Sequence, residues 1–457
     1  MFGMNRYVFL TLFSVVLILQ CVNAPAQSVD RGSGYVSGSS VVGGVEVDAF
    51  GILKTAPKSS LENAGKTLKQ LVNKQIPADL AENSPIRKIS LKKLNESISR
   101  TLESRGEFSD AARYLGGLTS IRYIVVVPEE NDVVLVGTSE PWKVDDFGNV
   151  VGKNSGKPVF LLEDLLTVYR SLYKSKTPSV ITCSIDPTPE ALVKISQVGK
   201  KFPVADSRNA AALAAAYEDA YGMNVVTING VPATSRFAKV LAACDYKMKR
   251  IGLEQEPSGV RGLPSYISMV SGSQKQINPR FWLAPEYGEI SHDSKKLTWQ
   301  LSEVKVKALT EDQYVDTRNG ALSNSGRTDS IAAGWCSKMS KNYEQLSKVD
   351  PVFGDLKNCM ELAIAVALIR SENLLETANC KLTAFDNDTL LKAVSYPEPK
   401  SVPSKATISR NGRTTIVACG GVEINPFTTV QSAKLDSKID SEYKTLSKTE
   451  GKEWWSK

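Results

Sequence analysis

Apolar positions along the chain change period several times, and each change marks an element. Leu61, Leu68, Leu71 and Val72, and then Leu94, Ile98 and Leu102, recur at helical spacing. Ser109 predicts a cap for a short helix that stops at Gly116-Gly117. The first hundred residues after residue 26 therefore read as mostly helical, following an initial strand. The period then drops to two. Ile121–Val127 and Val133–Val136 are β-rich runs around Pro128–Asp132, which predicts a hairpin. Leu161–Leu172 returns to helical spacing, and Ser179–Ile185 reads as a strand. Asp186-Pro187-Thr188-Pro189-Glu190 opens a helix, with Thr188 as its cap, Pro189 in its first turn and Gly199 at its end. An alanine-rich helix to Gly222, a strand over Asn224–Ile228, the turn Asn229-Gly230 and a helix from Ser235 to about Arg250 complete an alternating region.

Pro, Gly and Ser become frequent over 252–278, which marks the best internal boundary. Beyond it Leu301–Lys307 alternates as a half-exposed strand does. Helices follow over Ile331–Leu346 and Phe353–Asn373, broken at Asp350-Pro351. Asn411-Gly412, between Ala406–Ser409 and Thr414–Val417, predicts a tight hairpin, and the tail from Ser432 reads as a narrow amphipathic helix with mixed charges. The string GGVEVDAF at Gly43–Phe50 returns as GGVEINPF at Gly420–Phe427. Each copy alternates apolar and polar residues, so both are expected to be strands, while their flanks do not repeat. The fold class expected is mixed α/β (α+β), an alternating strand/helix region followed by an α+β portion with a helix pair and a hairpin. The organisation expected is a signal segment at 1–26, a flexible lead-in at 27–40, an α/β domain with a helical amino-terminal part at 41–251, a linker at 252–278 and the α+β portion at 279–457.

The first segment reads as an address. Arg6 precedes the apolar run Tyr7–Leu19, too short to span a bilayer, and Ala24-Pro25-Ala26 offers small residues at both recognition positions, which predicts cleavage after Ala26. Acylation at Cys21 is the weaker alternative, because Gln20 stands where a small residue is wanted. No later run is long enough to cross a membrane, so an exported protein, periplasmic or secreted, without an integral membrane segment is expected. With 457 residues and 42% hydrophobic content the chain can bury one large core or two ordinary ones. The formal charge of +7 falls by one when Arg6 is removed, and it is spread rather than striped. Export and this dispersed charge together exclude nucleic acid as the expected partner.

Cys183, Cys244, Cys336, Cys359, Cys380 and Cys419 form no CxxC pair, and His292 is the one histidine, so neither a metal site nor a cofactor is expected. Cys183 and Cys244 read as small buried hydrophobes. Cys336 and Cys359 lie about 10 Å out of level on a helix pair, beyond the reach of a disulfide, which leaves Cys380 with Cys419 as the favoured pair. Serine and cysteine triads both need a histidine, and His292 beside Asp293 reads as a lone histidine in a polar turn. No GxSxG, P-loop or HExxH occurs, and the four SxxK spacings reflect the abundance of both residues.

Carboxylates and aromatics remain. Asp186 and Glu190 stand where a strand meets a helix amino terminus. Glu286 and Glu289 follow the stretch Arg280-Phe281-Trp282-Leu283-Ala284-Pro285-Glu286-Tyr287, whose Arg280, Trp282 and Tyr287 are candidates to line a sugar or peptide groove. The strings GGVEVDAFG, RYIVVVPEENDVVLVG, GKPVFLLEDLL, CSIDPTPE, GVPATSRFAKVLAACDYKMKRI, GLPSY and NPRFWLAP together resemble the domain of unknown function 1598 family of exported planctomycete bacterial proteins. The resemblance implies a bacterial, exported origin and no reaction, ligand or catalytic residue. Two functions are therefore expected in competition. The first is a non-enzymatic binding or scaffold protein of the cell envelope whose partner is an envelope protein or glycan. The alternative is an envelope hydrolase drawing acid and base from Asp186, Glu190, Glu286 and Glu289, which requires two of them within about 10 Å across one cleft.

Overall fold

The computed structural model describes residues 41–72, 76–202, 208–270, 279–315, 322–324, 329–387, 395–408, 415–416, 419–449 and 451–457. The expected signal segment, the lead-in, the Asn411-Gly412 turn and part of the expected linker lie outside the described residues. Among those described, two seven-stranded sheets share one hydrophobic core with a set of helices, a mixed α+β architecture as the sequence pattern predicts.

Numbered in chain order within these sheets, the strands are β1 (Ser84–Ser90), β2 (Tyr123–Val127), β3 (Asp132–Ser139), β4 (Ile181–Asp186), β5 (Met223–Asn229), β6 (Pro279–Glu286), β7 (Ile290–His292), β8 (Thr298–Leu301), β9 (Lys305–Val315), β10 (Leu322–Asn324), β11 (Ser401–Pro403), β12 (Cys419–Ile424), β13 (Lys434–Leu435) and β14 (Trp455–Ser456). One sheet runs β10-β9-β6-β12-β4-β5-β11 and the other β13-β7-β8-β2-β3-β1-β14. Five helices position the candidate site and the core: α1 (Pro189–Lys201), α2 (Ala210–Tyr221), α3 (Arg236–Gly252), α4 (Ser330–Lys341) and α5 (Pro351–Ser371).

Local chemistry explains most boundaries. The Thr188 hydroxyl accepts from the Ala191 N–H and Pro189 fills the first turn of α1. Ser235 caps α3 in the same way, and Asp350 caps α5 just ahead of Pro351. In β4 Ile181, Cys183 and Ile185 are buried while Thr182, Ser184 and Asp186 are half-exposed, so this strand has one covered and one open face. Helix α3 packs on the covered face of β4, β12 and β6, and α4 packs on β9. Helix α5 lies against α3 and is buried all round from Val352 to Ile369, its charged residues Asp355, Lys357 and Glu361 included. Residues Val260, Leu263, Tyr266, Ile267 and Val270, from the Pro/Gly/Ser-rich segment, join the same core.

The two GGVE strings serve different ends. Gly43 and Gly44 are both left-handed and form the two-residue turn that joins Val41–Val42 to Val45–Val47, as a type I′ hairpin requires. Gly420 and Gly421 instead lie inside β12, which runs parallel to β6 and antiparallel to β4. A β-carbon on Gly421 would stand 1.8 Å from the Cys183 carbonyl oxygen, and one on Gly420 would stand 1.7 Å from that of Phe281. Gly421→Ala is therefore expected to cost at least about 2 kcal/mol in urea unfolding, because the strands must part to admit the methyl group. A loss near zero would show that β12 and β4 do not approach this closely.

Several expectations are corrected. The tail from Ser432 is no single amphipathic helix: it folds as β13, a 3₁₀ turn over Ser437–Ser441 capped by Asp436, a short helix over Tyr443–Leu446, and β14. Its apolar residues are divided between places, Leu446 against the outer valines of β2 and β3 and Trp454 in the main core. The amino-terminal third is less helical than its pattern implies, since β1 crosses it. The helix over Ile331–Leu346 breaks at Asn342 into α4 and a short helix over Tyr343–Val349. His292 belongs to β7 rather than to a turn, half-buried with its ring centre 4.9 Å from that of Trp299. Cys380 carries a free buried thiol near Val133, so the pairing with Cys419 does not form; Cys336 and Cys359 are also free and buried, in keeping with their offset.

Candidate functional site

The face of the first sheet opposite α3 is open, and strand register arranges its side chains in rows. Trp282 of β6 stands opposite Leu309 of β9 on one side and Gly421 of β12 on the other; Gly421 stands opposite Ser184 of β4, and Ser184 opposite Thr227 of β5. Because Gly421 has no side chain, the middle row carries a trough beside the indole. A row to one side contains Glu311, Arg280, Asp186 and Val225, and a row to the other contains Glu423, Thr182 and Asn229. Together Thr182, Ser184, Arg280, Trp282, Glu311 and Glu423 bound a cleft of about 270 Å³.

The cleft rests on a polar support beneath the sheet. The Lys249 ammonium, on α3, donates to the carbonyl oxygens of Ile185 at 2.8 Å and Gly420 at 3.1 Å, and to Asp245 at 3.0 Å. It thereby ties the end of β4 to the start of β12. Burial lifts the Asp245 carboxyl to about 7, with Lys249 pulling the other way. From above, Asp186 accepts from the Gly420 N–H at 3.2 Å and stands 4.0 Å from the Arg280 guanidinium, which lies 6.0 Å from the centre of the Trp282 ring. Arg280 is thus held over the indole by a carboxylate that is itself fixed by backbone.

The residues picked out by sequence divide into those this face gathers and those it does not. Asp186, Arg280 and Trp282 come together. Glu190 is exposed in the first turn of α1, its carboxyl held below the usual range by its own backbone N–H and by the Thr188 hydroxyl. Glu286 is exposed at the far end of β6, opposite Lys305 and six residues from Arg280, about 20 Å along the strand. Glu289 pairs with Lys434 at 2.9 Å. Tyr287 points its hydroxyl inward, where burial, and then the nearby Glu361 carboxylate, keep it protonated far above the ordinary phenol range.

Two polar clusters escaped sequence reasoning. The Arg236 guanidinium, on α3, reaches Asp164 at 2.5 Å and Asp355 at 2.8 Å, and Tyr396 donates to the neighbouring Glu163 at 3.0 Å. Burial works against the Arg236 charge, but the carboxylates of Asp355, Asp164 and Glu163 outweigh it and keep the guanidinium protonated. Burial raises all three carboxyls. In the other cluster Glu361, on α5, accepts from the Ile121 N–H, and burial lifts its carboxyl to about 7. Nearby, Lys357 bridges Glu303 at 2.8 Å and Glu344 at 2.6 Å. The residues concerned lie apart in sequence with no motif around them; the only local sign was charge inside apolar helices.

No group of His, Cys, Asp and Glu suited to a metal ion occurs among the described residues, and no helix among them is long and apolar enough to cross a membrane. No curated protein and no solved structure matches the chain. A family described as Protein of unknown function (DUF1598) matches residues 183–266, the stretch from β4 through α3 to Tyr266 that supplies Ser184, Asp186, Thr227, Asn229, Asp245 and Lys249 to this site and its support.

Proposed function

We propose that this is an exported, non-enzymatic binding protein of the bacterial cell envelope, and that it holds its ligand on the open face of the first sheet. The observation that carries the reading is the cleft beside Gly421, where an indole, a guanidinium and two carboxylates face solvent on a rigid sheet. One aromatic ring set among several fixed polar groups can hold a polar ligand in a single orientation. An acid–base pair needs a carboxyl with a raised pKa at the reacting bond, whereas the carboxyls lifted to about 6 or 7 lie away from this face, Asp164, Asp245 and Glu361 in the core and Glu163 half-buried beside Tyr396. Export is supported by the apolar run Tyr7–Leu19 and the small residues Ala24 and Ala26. Co-sedimentation of the purified protein with an insoluble bacterial envelope fraction tests the reading. Wild type is expected to be retained and Trp282→Ala to be retained about tenfold less, in line with the loss of one aromatic contact. Equal retention of the two proteins would remove this face from the account.

A further inference from the structure

Resting on that reading, we infer that the occupant of the open face is a linear β-1,4-linked pyranose chain, laid across the strands along the row Leu309, Trp282, Gly421, Ser184 and Thr227. Neighbouring strands are about 4.8 Å apart, close to the length of one pyranose unit, so consecutive sugars fall over consecutive strands. The C–H face of one sugar stacks on the face of the Trp282 indole turned away from Arg280, and Gly421, with no side chain, admits the next ring down to the backbone.

The flanking rows match what an equatorial pyranose presents along its two edges. Glu311, Arg280 and Asp186 stand on one side of the middle row, and Glu423, Thr182 and Asn229 on the other. These groups supply donors and acceptors for hydroxyls that point sideways in the plane of each ring. Several are already oriented. Asn229 donates to the Thr182 hydroxyl at 3.2 Å, leaving the amide oxygen turned to accept, and Asp186 is fixed by the Gly420 N–H at 3.2 Å. Glu423 is exposed and forms no ion pair among the described residues.

A polypeptide fits this surface less well. An extended peptide adds to a sheet through unpaired edge groups, whereas β6, β12 and β4 are central strands with neighbours on both sides. A folded partner wants a core depleted of charge, whereas Arg280, Glu311 and Glu423 line the cleft with the single indole and Asp186 stands beside Arg280.

Titration calorimetry with cellohexaose and with the β-1,4-linked hexamer of N-acetylglucosamine tests the inference on the full protein. At least one hexaose is expected to bind, with affinity reduced about tenfold in Trp282→Ala and again in Glu423→Ala; both positions are solvent-facing, and unchanged thermal midpoints verify that the variants fold. Absence of binding to both hexaoses, or binding unaltered in both variants, overturns the inference. The envelope pellet separates this failure from failure of the binding reading. Retention that depends on Trp282, survives pretreatment of the pellet with cellulase and lysozyme and is lost on its proteolysis assigns the face to a protein partner and overturns the glycan alone.

Discussion

Replacing Arg236 with Met is expected to destabilise the protein by about 3–5 kcal/mol, among the largest effects of any single substitution in it. The guanidinium is the shared cation of Asp164 at 2.5 Å and Asp355 at 2.8 Å, and both carboxylates are buried. Methionine fills most of the volume but leaves two acids in the core with no partner, and each must then be desolvated as an anion or hold a proton. Arg236→Lys should recover only part of the loss, because one ammonium cannot present the planar fork that serves both carboxylates. Exchanging Asp164 and Asp355 for Asn together with Arg236→Met should recover more of it, since uncharged groups are cheaper to bury. Urea unfolding of the variants checks the prediction. A loss below about 1 kcal/mol for Arg236→Met would mean that the triad is not the buried cluster described.

The second large effect is a fall in stability as pH rises from about 5 to about 8. Burial lifts Asp245 and Glu361 to about 7, and raises Glu163, Asp164 and Asp355 as well. A carboxyl whose folded pKa lies above its unfolded value near 4 binds its proton more tightly in the native state. Its contribution is fully present below the unfolded value and is lost as pH climbs through the folded one. Asp245 and Glu361 should each contribute on the order of 3 kcal/mol to this trend. Calorimetry should find the thermal midpoint higher at pH 5.5 than at pH 8 by on the order of 5–10 °C. Glu361→Gln should flatten part of the slope. A midpoint that rises over the same interval would contradict the direction of these shifts.

Much of this fold was legible in the sequence wherever a local rule operates alone. Thr188-Pro189 and Asp350-Pro351 start helices because cap and first turn are specified within four residues. The valines on either side of Pro128–Asp132 make a hairpin because their period is two and a turn joins them. Legibility failed where tertiary contacts reverse the local signal. Strand β1, SPIRKIS, falls in a part whose pattern reads as helical, and it carries Arg87 and Lys88, yet both are buried. The Arg87 guanidinium donates to the Ser139 hydroxyl and the Asp79 carbonyl, and the Lys88 ammonium to the carbonyls of Thr445 and Lys448. No local pattern can announce partners more than 350 residues away. The tail misled for a similar reason: its apolar residues at near-helical spacing are claimed separately by the outer face of β2 and β3 and by the main core.

The candidate site divides in the same way. Arg280 and Trp282 were legible as a charge and an aromatic two residues apart on a strand, which puts both on one face. That Gly421 forms the floor beside the indole was not, because its place depends on β12 inserting between β6 and β4, two strands far from it in sequence. Lys249 under the sheet was equally hidden, since it appears in the sequence as an ordinary basic residue near a helix end.

The measurement that tests the central claim most directly is hydroxyl-radical footprinting of the tryptophans with and without the envelope fraction on which the protein is retained. Trp282, half-exposed on the open sheet face, should oxidise several-fold more slowly in the bound sample, while Trp455, half-exposed on the other sheet, should oxidise at the same rate in both. If Trp282 oxidises at an unchanged rate while the protein is bound, the ligand sits elsewhere and the open face is not its binding site.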